Sequence, residues 1–183
     1  MDNTSLLVHS ISKKRKVYFM NNKKKFILVI MLLPWLTVPF IGKKAMKRFS
    51  LTSIFIGLLF GLQSVYANKN AWWRVHTHLF PRVMGEIPFI FGPFFVGAIW
   101  ILKFTYGKYI RYTLLNLGVD TLHIYIFVKW LHRMGIASLI RLKDYQALLL
   151  LTANASIMYG FQRLIDKKVN TEKPKSLLKR ILS

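Results

Sequence analysis

The sequence predicts an all-α integral membrane helical bundle of about five transmembrane helices, with one further amphipathic helix on the membrane surface. Of its 183 residues, 54% are hydrophobic and 19% are charged, and the mean hydropathy is +0.35. The charged residues are gathered between long apolar runs instead of being dispersed among them. Basic clusters that bracket apolar runs of about 20 residues are typical of helices that cross a bilayer.

The first apolar run, from Phe26 to Gly42, follows a basic segment of residues 1–25, which we expect to be a cytoplasmic tail. At about 1.5 Å per residue the run reaches about 25 Å, somewhat less than the hydrocarbon core of about 30 Å. It also contains Pro34 and Pro39, which can kink a helix. We expect this run to span the membrane, and a re-entrant segment is the alternative.

The second run, from Phe49 to Asn68, is uncharged and long enough to cross. Gly57 and Gly61 lie one helical turn apart in it, so they share a face. Small residues on one face let another helix approach closely, which predicts a packing contact there. Incidental placement of two glycines is the alternative.

The next segment, Lys69 to Glu86, holds paired tryptophans beside Arg74, a combination that suits the headgroup layer. The third and fourth spans are expected at about Ile87–Tyr106 and Tyr109–Leu131. Since only Gly107 and Lys108 separate them, they are predicted to form an antiparallel hairpin.

The stretch from His132 to Asp144 interleaves apolar and basic residues and is too short to cross, so we expect the amphipathic surface helix here. The fifth span follows at Tyr145–Gln162. The helical domain is therefore expected at residues 26–162, with a basic C-terminal tail at 163–183.

The distribution of basic residues leaves the orientation open. With five spans, fourteen Lys and Arg residues fall on each side, whereas four crossings around a re-entrant first segment place both basic tails in the cytoplasm, as the positive-inside rule favours. We expect a multi-pass protein of the cell membrane with a cytoplasmic N-terminus.

The net charge of +22 predicts an anionic partner. Because the basic residues lie where helices would leave the bilayer, anionic lipid headgroups are favoured, at about 1 kcal/mol per nearby Lys or Arg. Nucleic acid is not predicted as a partner, although a high isoelectric point alone is compatible with it.

A polar face crosses the fourth span at Asn116, Asp120 and His123, which are spaced i, i+4 and i+7. Asp120 lies near mid-bilayer, where a carboxylate costs about 2.5 kcal/mol or more, so it should face protein or water. A carboxylate and an imidazole one turn apart can share a proton, bind a cation or hold a headgroup. Alternatively, this face forms hydrogen bonds with Asn154 and Ser156 of the fifth span and only fixes helix packing.

His76, His78 and Glu86 supply two imidazoles and a carboxylate, which is a common catalytic zinc set. Their spacing matches no H-E-x-x-H motif, so a polar interfacial segment is the favoured interpretation. There is no cysteine to form a disulfide or a thiolate metal site. No cofactor is predicted, because phosphate-binding, dinucleotide and nucleophile-elbow motifs are missing from the sequence.

One stretch carries a resemblance to known proteins. It comprises Phe91-Gly92-Pro93-Phe94, Trp100 to Gly107, and Leu114-Leu115-Asn116 with Asp120. It resembles a segment of small uncharacterised multi-pass membrane proteins of spore-forming Gram-positive bacteria. The resemblance implies a bacterial cytoplasmic membrane location, and it brings no catalytic residues.

Three functions follow from these features. The leading hypothesis is a non-enzymatic membrane protein that binds a protein partner or assembles, including with itself, because the loops are short and catalytic motifs are missing. The first alternative is a small transporter or lipid-handling protein that uses Asn116, Asp120 and His123. The second is a metal-dependent membrane hydrolase.

Overall fold

The computed structural model describes residues 20–80 and 83–181, with side chains to residue 169. Within these ranges, five helices are long and apolar enough to cross a membrane, which confirms the predicted number. They are α1 (Met20–Ile41), α2 (Lys43–Lys69), α3 (Ile87–Thr105), α4 (Tyr109–Arg133) and α5 (Asp144–Ile181). Two short strands, β1 (Trp73–Val75) and β2 (Ala137–Leu139), complete the described fold.

Helix α1 is longer than the apolar run indicated, because it begins at Met20 instead of Phe26. Its 22 residues reach about 33 Å, which removes the predicted shortfall in length. The helix tightens to a 3₁₀ turn at Leu33–Thr37, where Pro34 supplies no backbone N–H. It lies on the outside of the bundle, and Leu36 is 71% exposed and Phe40 75% exposed.

The main hydrophobic core joins α2, α3, α4 and α5. Ile56, Ile99, Tyr112 and Tyr159 are among its buried members. The Tyr112 hydroxyl donates a hydrogen bond of 2.7 Å to the Ala155 carbonyl, so the one polar atom of this buried ring is satisfied. These contacts fix α4 against α5.

Two of the helices contain a π-helical turn, at Ile90–Phe94 in α3 and at His123–Val128 in α4. Pro93 lies inside the first, where its missing N–H interrupts the ordinary hydrogen-bond ladder. The Trp35 indole N–H donates to the Phe91 carbonyl at 3.0 Å and so attaches α1 to this turn. Single π turns within α-helices are frequent at functional sites.

The segment expected to be an amphipathic surface helix, His132 to Asp144, instead contains the end of α4, a turn and the three-residue strand β2. Helix α4 ends at Arg133, the chain turns at Gly135 with φ +64°, and β2 pairs antiparallel with β1. Trp73 lies opposite Leu139 in this pair. The prediction was wrong because the helical spacing of the apolar residues is local, whereas strand pairing depends on β1, which precedes it by more than sixty positions.

The two ends of the bundle are marked by long-range polar contacts. At one end, the Lys23 ammonium donates to the Gly135 carbonyl at 3.2 Å, beside the β1–β2 sheet. At the other, Arg48 and Asp166 form an ion pair of 2.7 Å. Successive helices therefore run antiparallel, and α1 and α5 begin at the same end.

The predicted domain limits fall within helices. Residues 20–25 belong to α1, and residues 1–19 of the predicted N-terminal tail lie outside the described residues. Helix α5 continues past Gln162 to Ile181, so the predicted C-terminal tail begins as an extension of the fifth helix.

Candidate ligand-binding cavity

A cavity of about 260 Å³, which is partly open to the surroundings, lies between the helices of the bundle. Helices α2, α3, α4 and α5 line its sides, β1 and β2 line it as well, and α1 contributes no lining residue. The lining is predominantly apolar, and the volume approaches the lower limit of about 300 Å³ for small-molecule sites. Both π turns face this space, through Pro93 and Phe94 in α3 and through residues of the second turn in α4.

The polar residues predicted from the fourth span all line this cavity. Asn116, Asp120 and His123 reach it from α4, and Asn154 reaches it from α5. The i, i+4, i+7 spacing therefore gives one polar face that is directed into the bundle.

The hydrogen bonds of these residues are not those expected from a purely structural polar face. Asn154 bonds to Gln63 of α2, and Asn116 Nδ2 donates to the Tyr112 carbonyl of its own helix at 2.8 Å. The Ser156 hydroxyl donates to the Thr152 carbonyl, also within its own helix. The expected bonding of the α4 face to Asn154 and Ser156 is therefore wrong.

Asp120 differs from the other acidic residues whose side chains are described. Asp144 pairs with Lys129 at 3.2 Å, and Asp166 pairs with Arg48. Glu86 accepts hydrogen bonds from the Asn68 amide at 2.8 Å and the Trp73 indole at 3.2 Å. The Oδ2 atom of Asp120, in contrast, is buried and has no hydrogen-bond partner.

His123 stands at the first position of the π turn in α4. Its ring packs against Phe127 with a centroid separation of 5.4 Å, and both rings line the cavity. The imidazole therefore adds a hydrogen-bonding group to a wall that also contains the Phe127 ring and aliphatic side chains.

The sheet contributes a second polar region to the lining, comprising Arg74, Glu86 and Ser138. The Ser138 hydroxyl and the His76 Nε2 atom share a hydrogen bond of 2.8 Å, which ties β2 to the residue after β1. Arg74 and Ser138 were not predicted as site residues, because their place depends on strand pairing. Gln63, which contacts the lining residue Asn154, was also missed, although an amide inside an apolar run was a usable signal.

The three candidate metal ligands have separate partners. His76 bonds to Ser138, Glu86 accepts from Asn68 and Trp73, and His78 Nδ1 lies 3.4 Å from the Val83 carbonyl. Across the described part of the chain, no three His, Asp or Glu side chains lie close enough to hold a metal ion. This geometry gives the metal-hydrolase hypothesis no support.

The two glycines of α2 occupy different surroundings. A Cβ on Gly57 would lie 3.4 Å from Ile90 Cγ2, so Gly57 packs against α3. A Cβ on Gly61 would meet nothing within 4 Å. Gly57 therefore faces α3 at an ordinary van der Waals distance and Gly61 faces open space, so a close helix approach that depends on these two glycines stays a prediction.

The arrangement defines a helical protein with an internal, mostly apolar cavity that holds one unpartnered carboxylate oxygen. Comparison of the chain with family models, curated protein sequences and solved structures finds no match in any of the three.

Proposed function

We propose that the chain is a multi-pass membrane protein, either a transporter or a lipid-handling protein. It binds a small amphipathic molecule in the cavity that α2, α3, α4 and α5 line. The observation that carries the proposal is the buried, unpartnered Oδ2 atom of Asp120 in a predominantly apolar cavity. Leaving such a polar atom without a partner costs about 1–3 kcal/mol, and a polar group on a bound molecule would supply that partner.

Membrane insertion is supported by the outer surface of the bundle. Large apolar side chains are exposed on several helices, including Leu62 at 70%, Leu114 at 63% and Leu149 at 65%. Large exposed apolar patches are rare on soluble monomers, and exposed apolar side chains on several helices are typical of a surface that faces lipid. The resemblance to small membrane proteins of spore-forming bacteria is compatible with a bacterial cytoplasmic membrane, where anionic headgroups would meet the basic clusters.

In this proposal all five helices cross the bilayer, and the N-terminal end of α1 and the β1–β2 sheet share the cytoplasmic side. The chain contains no cysteine, so single cysteines report on topology without a background signal. We expect an impermeant maleimide to label Lys108→Cys in sealed cells and Asn70→Cys only after the cells are permeabilised. Labelling of both in sealed cells, or of both only after permeabilisation, shows that α3 does not cross and so contradicts five crossings.

Ligand binding is tested by filling the cavity. Gly97 lines it, and a Cβ there would meet nothing within 4 Å, so Gly97→Phe places a ring in open space. Gly118 of α4 has equally open surroundings but does not line the cavity, which makes Gly118→Phe the matched control.

We expect native mass spectrometry of the detergent-solubilised protein to show a bound amphipathic molecule in the unmodified chain and in Gly118→Phe, and its loss in Gly97→Phe. Equal retention in both variants, or no bound molecule in the unmodified chain, contradicts the proposal. The same spectra report the oligomeric state, and so they test the hypothesis of an assembly component, which remains a prediction.

A further inference from the structure

We infer that the molecule bound in the cavity carries a protonated primary amine on a single alkyl chain, and that its ammonium group pairs with Asp120. The inference rests on the proposed function, because it names the chemical class of ligand for the same cavity. Three observations support it, which are the charge of the cavity lining, the hydrogen-bond acceptors on α4 and the volume of the cavity.

The charge of the cavity is opposite in sign to that of the chain. The protein has a net charge of +22, yet the lining contains two carboxylates, Glu86 and Asp120, and one guanidinium, Arg74. The ion pairs among the described residues join Arg48 to Asp166 and Lys129 to Asp144, so Arg74 does not neutralise Asp120. An ionised carboxylate in an apolar space is stabilised by a paired charge, and a cationic ligand would supply that charge to Asp120.

The acceptors on α4 match the donors of an ammonium group. A protonated primary amine has three N–H donors. The polar face offers the Asp120 carboxylate, a ring nitrogen of His123 and the Oδ1 atom of Asn116, whose Nδ2 atom is already used within α4. Phe127 lines the same wall and adds an aromatic face, which attracts cations.

An organic cation fits the space better than an inorganic one. Calcium takes six to eight oxygen ligands, and the described residues hold no cluster of three His, Asp or Glu side chains. The cavity of about 260 Å³ is also much larger than one ion and is lined mainly by apolar side chains. An alkyl chain would remove that apolar surface from water and would occupy the space that a bare ion leaves empty.

The experiment compares three soluble probes with the same alkyl chain, which are octylamine, 1-octanol and octanoate. Binding to the purified full chain in lipid nanodiscs is followed by tryptophan fluorescence, since Trp73 lines the cavity. We expect octylamine to bind at least about tenfold more tightly than 1-octanol, because removing one partner of a buried charge pair weakens binding by this much or more. Octanoate should bind most weakly, because its carboxylate has the same charge as Asp120.

In Asp120→Asn we expect the affinities for octylamine and 1-octanol to differ by no more than about threefold. Asp120→Glu should keep the higher affinity for the amine. Asp166→Asn is the matched control, because it removes a carboxylate outside the cavity lining and should leave the preference unchanged. Thermal unfolding of each variant in the same nanodiscs shows whether it is folded.

The outcomes separate the inference from the proposed function. Equal binding of octylamine and 1-octanol by the unmodified chain overturns the inference and leaves a ligand-binding cavity in place. Displacement of octylamine by sodium at constant ionic strength overturns it in favour of an inorganic cation. Failure of all three probes to bind, together with no co-purifying molecule, contradicts both.

Discussion

Gln63 of α2 and Asn154 of α5 exchange two amide hydrogen bonds across the bundle, each 2.8 Å long. Asn154 also lines the cavity. Both the oxygen and the nitrogen of the Asn154 side-chain amide are bonded to Gln63. Asn154 therefore connects α5 to α2 and is not a free ligand group. Asn154 thus differs from Asp120, whose Oδ2 atom is buried in the same lining without a hydrogen-bond partner.

A double-mutant cycle with Gln63→Leu and Asn154→Leu measures this contact. Hydrogen bonds between membrane helices average about 0.6 kcal/mol and reach about 1.7 kcal/mol, so we expect a coupling free energy of unfolding of about 1 kcal/mol for the pair. Reversible unfolding in mixed micelles provides the measurement. Ser156→Ala is the control, because its hydroxyl bonds only within its own helix. A coupling near zero contradicts a joint role for the two amides.

The two ion pairs are expected to differ in their contribution to stability. Asp166 has a relative side-chain exposure of 21% and also accepts a hydrogen bond from Gln162, whereas Asp144 is 38% exposed in its pair with Lys129. We expect Asp166→Asn to lower the free energy of unfolding by about 1 kcal/mol or more, and Asp144→Asn by less, since exposed pairs contribute about 0–1 kcal/mol. Equal losses in the two variants contradict this ranking.

The long helices were predictable from the sequence, while the sheet and the cavity were not. Apolar runs such as Phe49–Asn68 identify helices because helix formation and burial in lipid are local properties of a segment. The pairing of Trp73 with Leu139 depends on two segments that are far apart in the sequence. The spacing of Asp120 and His123 predicted a shared face, but only the packing of four helices shows that Asp120 has no partner.

The approach of α1 to α3 depends on Gly92. A Cβ there would lie 2.7 Å from both the Cα atom and the carbonyl oxygen of Met31, which are backbone atoms that cannot move alone. We expect Gly92→Ala to lower the free energy of unfolding by about 1–3 kcal/mol, as overpacking does. It should also increase proteolysis within α1, because the substitution separates the α1 backbone from α3.

Gly61→Ala is the matched control for Gly92→Ala. A Cβ at Gly61 meets nothing within 4 Å, so the substitution should stabilise α2 by up to about 1 kcal/mol through helix propensity alone. A change of oligomeric state in Gly61→Ala would instead show that this face binds another chain. Equal destabilisation by the two substitutions contradicts the specific role of Gly92.

Tyr106, the residue after the last residue of α3, makes stability sensitive to alkaline pH. Burial, together with the nearby Asp166 carboxylate, raises the pKa of Tyr106 to about 12. In the unfolded chain the phenol loses its proton near its ordinary pKa of about 10. The unfolded state therefore binds fewer protons between these values, so stability falls as the pH rises from about 10 to 12.

We expect Tyr106→Phe to flatten this alkaline loss while leaving the unfolding temperature at pH 8 nearly unchanged. Thermal unfolding over pH 8–11.5 provides the measurement. Tyr145→Phe is the control, since Tyr145 is 52% exposed. Identical pH profiles for Tyr106→Phe and the unmodified chain contradict the role of this phenol.

The last prediction concerns the ligand-free protein and separates a binding role of Asp120 from a structural one. If Asp120 is kept for a ligand, its unpartnered carboxylate destabilises the empty protein, so removing it should increase stability at the expense of binding. We expect Asp120→Leu to raise the free energy of unfolding by about 1–3 kcal/mol, which is the usual cost of an unsatisfied buried polar group. Unfolding of the delipidated protein in mixed micelles provides the measurement. Asn116→Leu is the control, because the Asn116 amide donates to the Tyr112 carbonyl. Loss of that hydrogen bond should lower stability. A fall in stability for Asp120→Leu would instead show that this carboxylate holds the helices together.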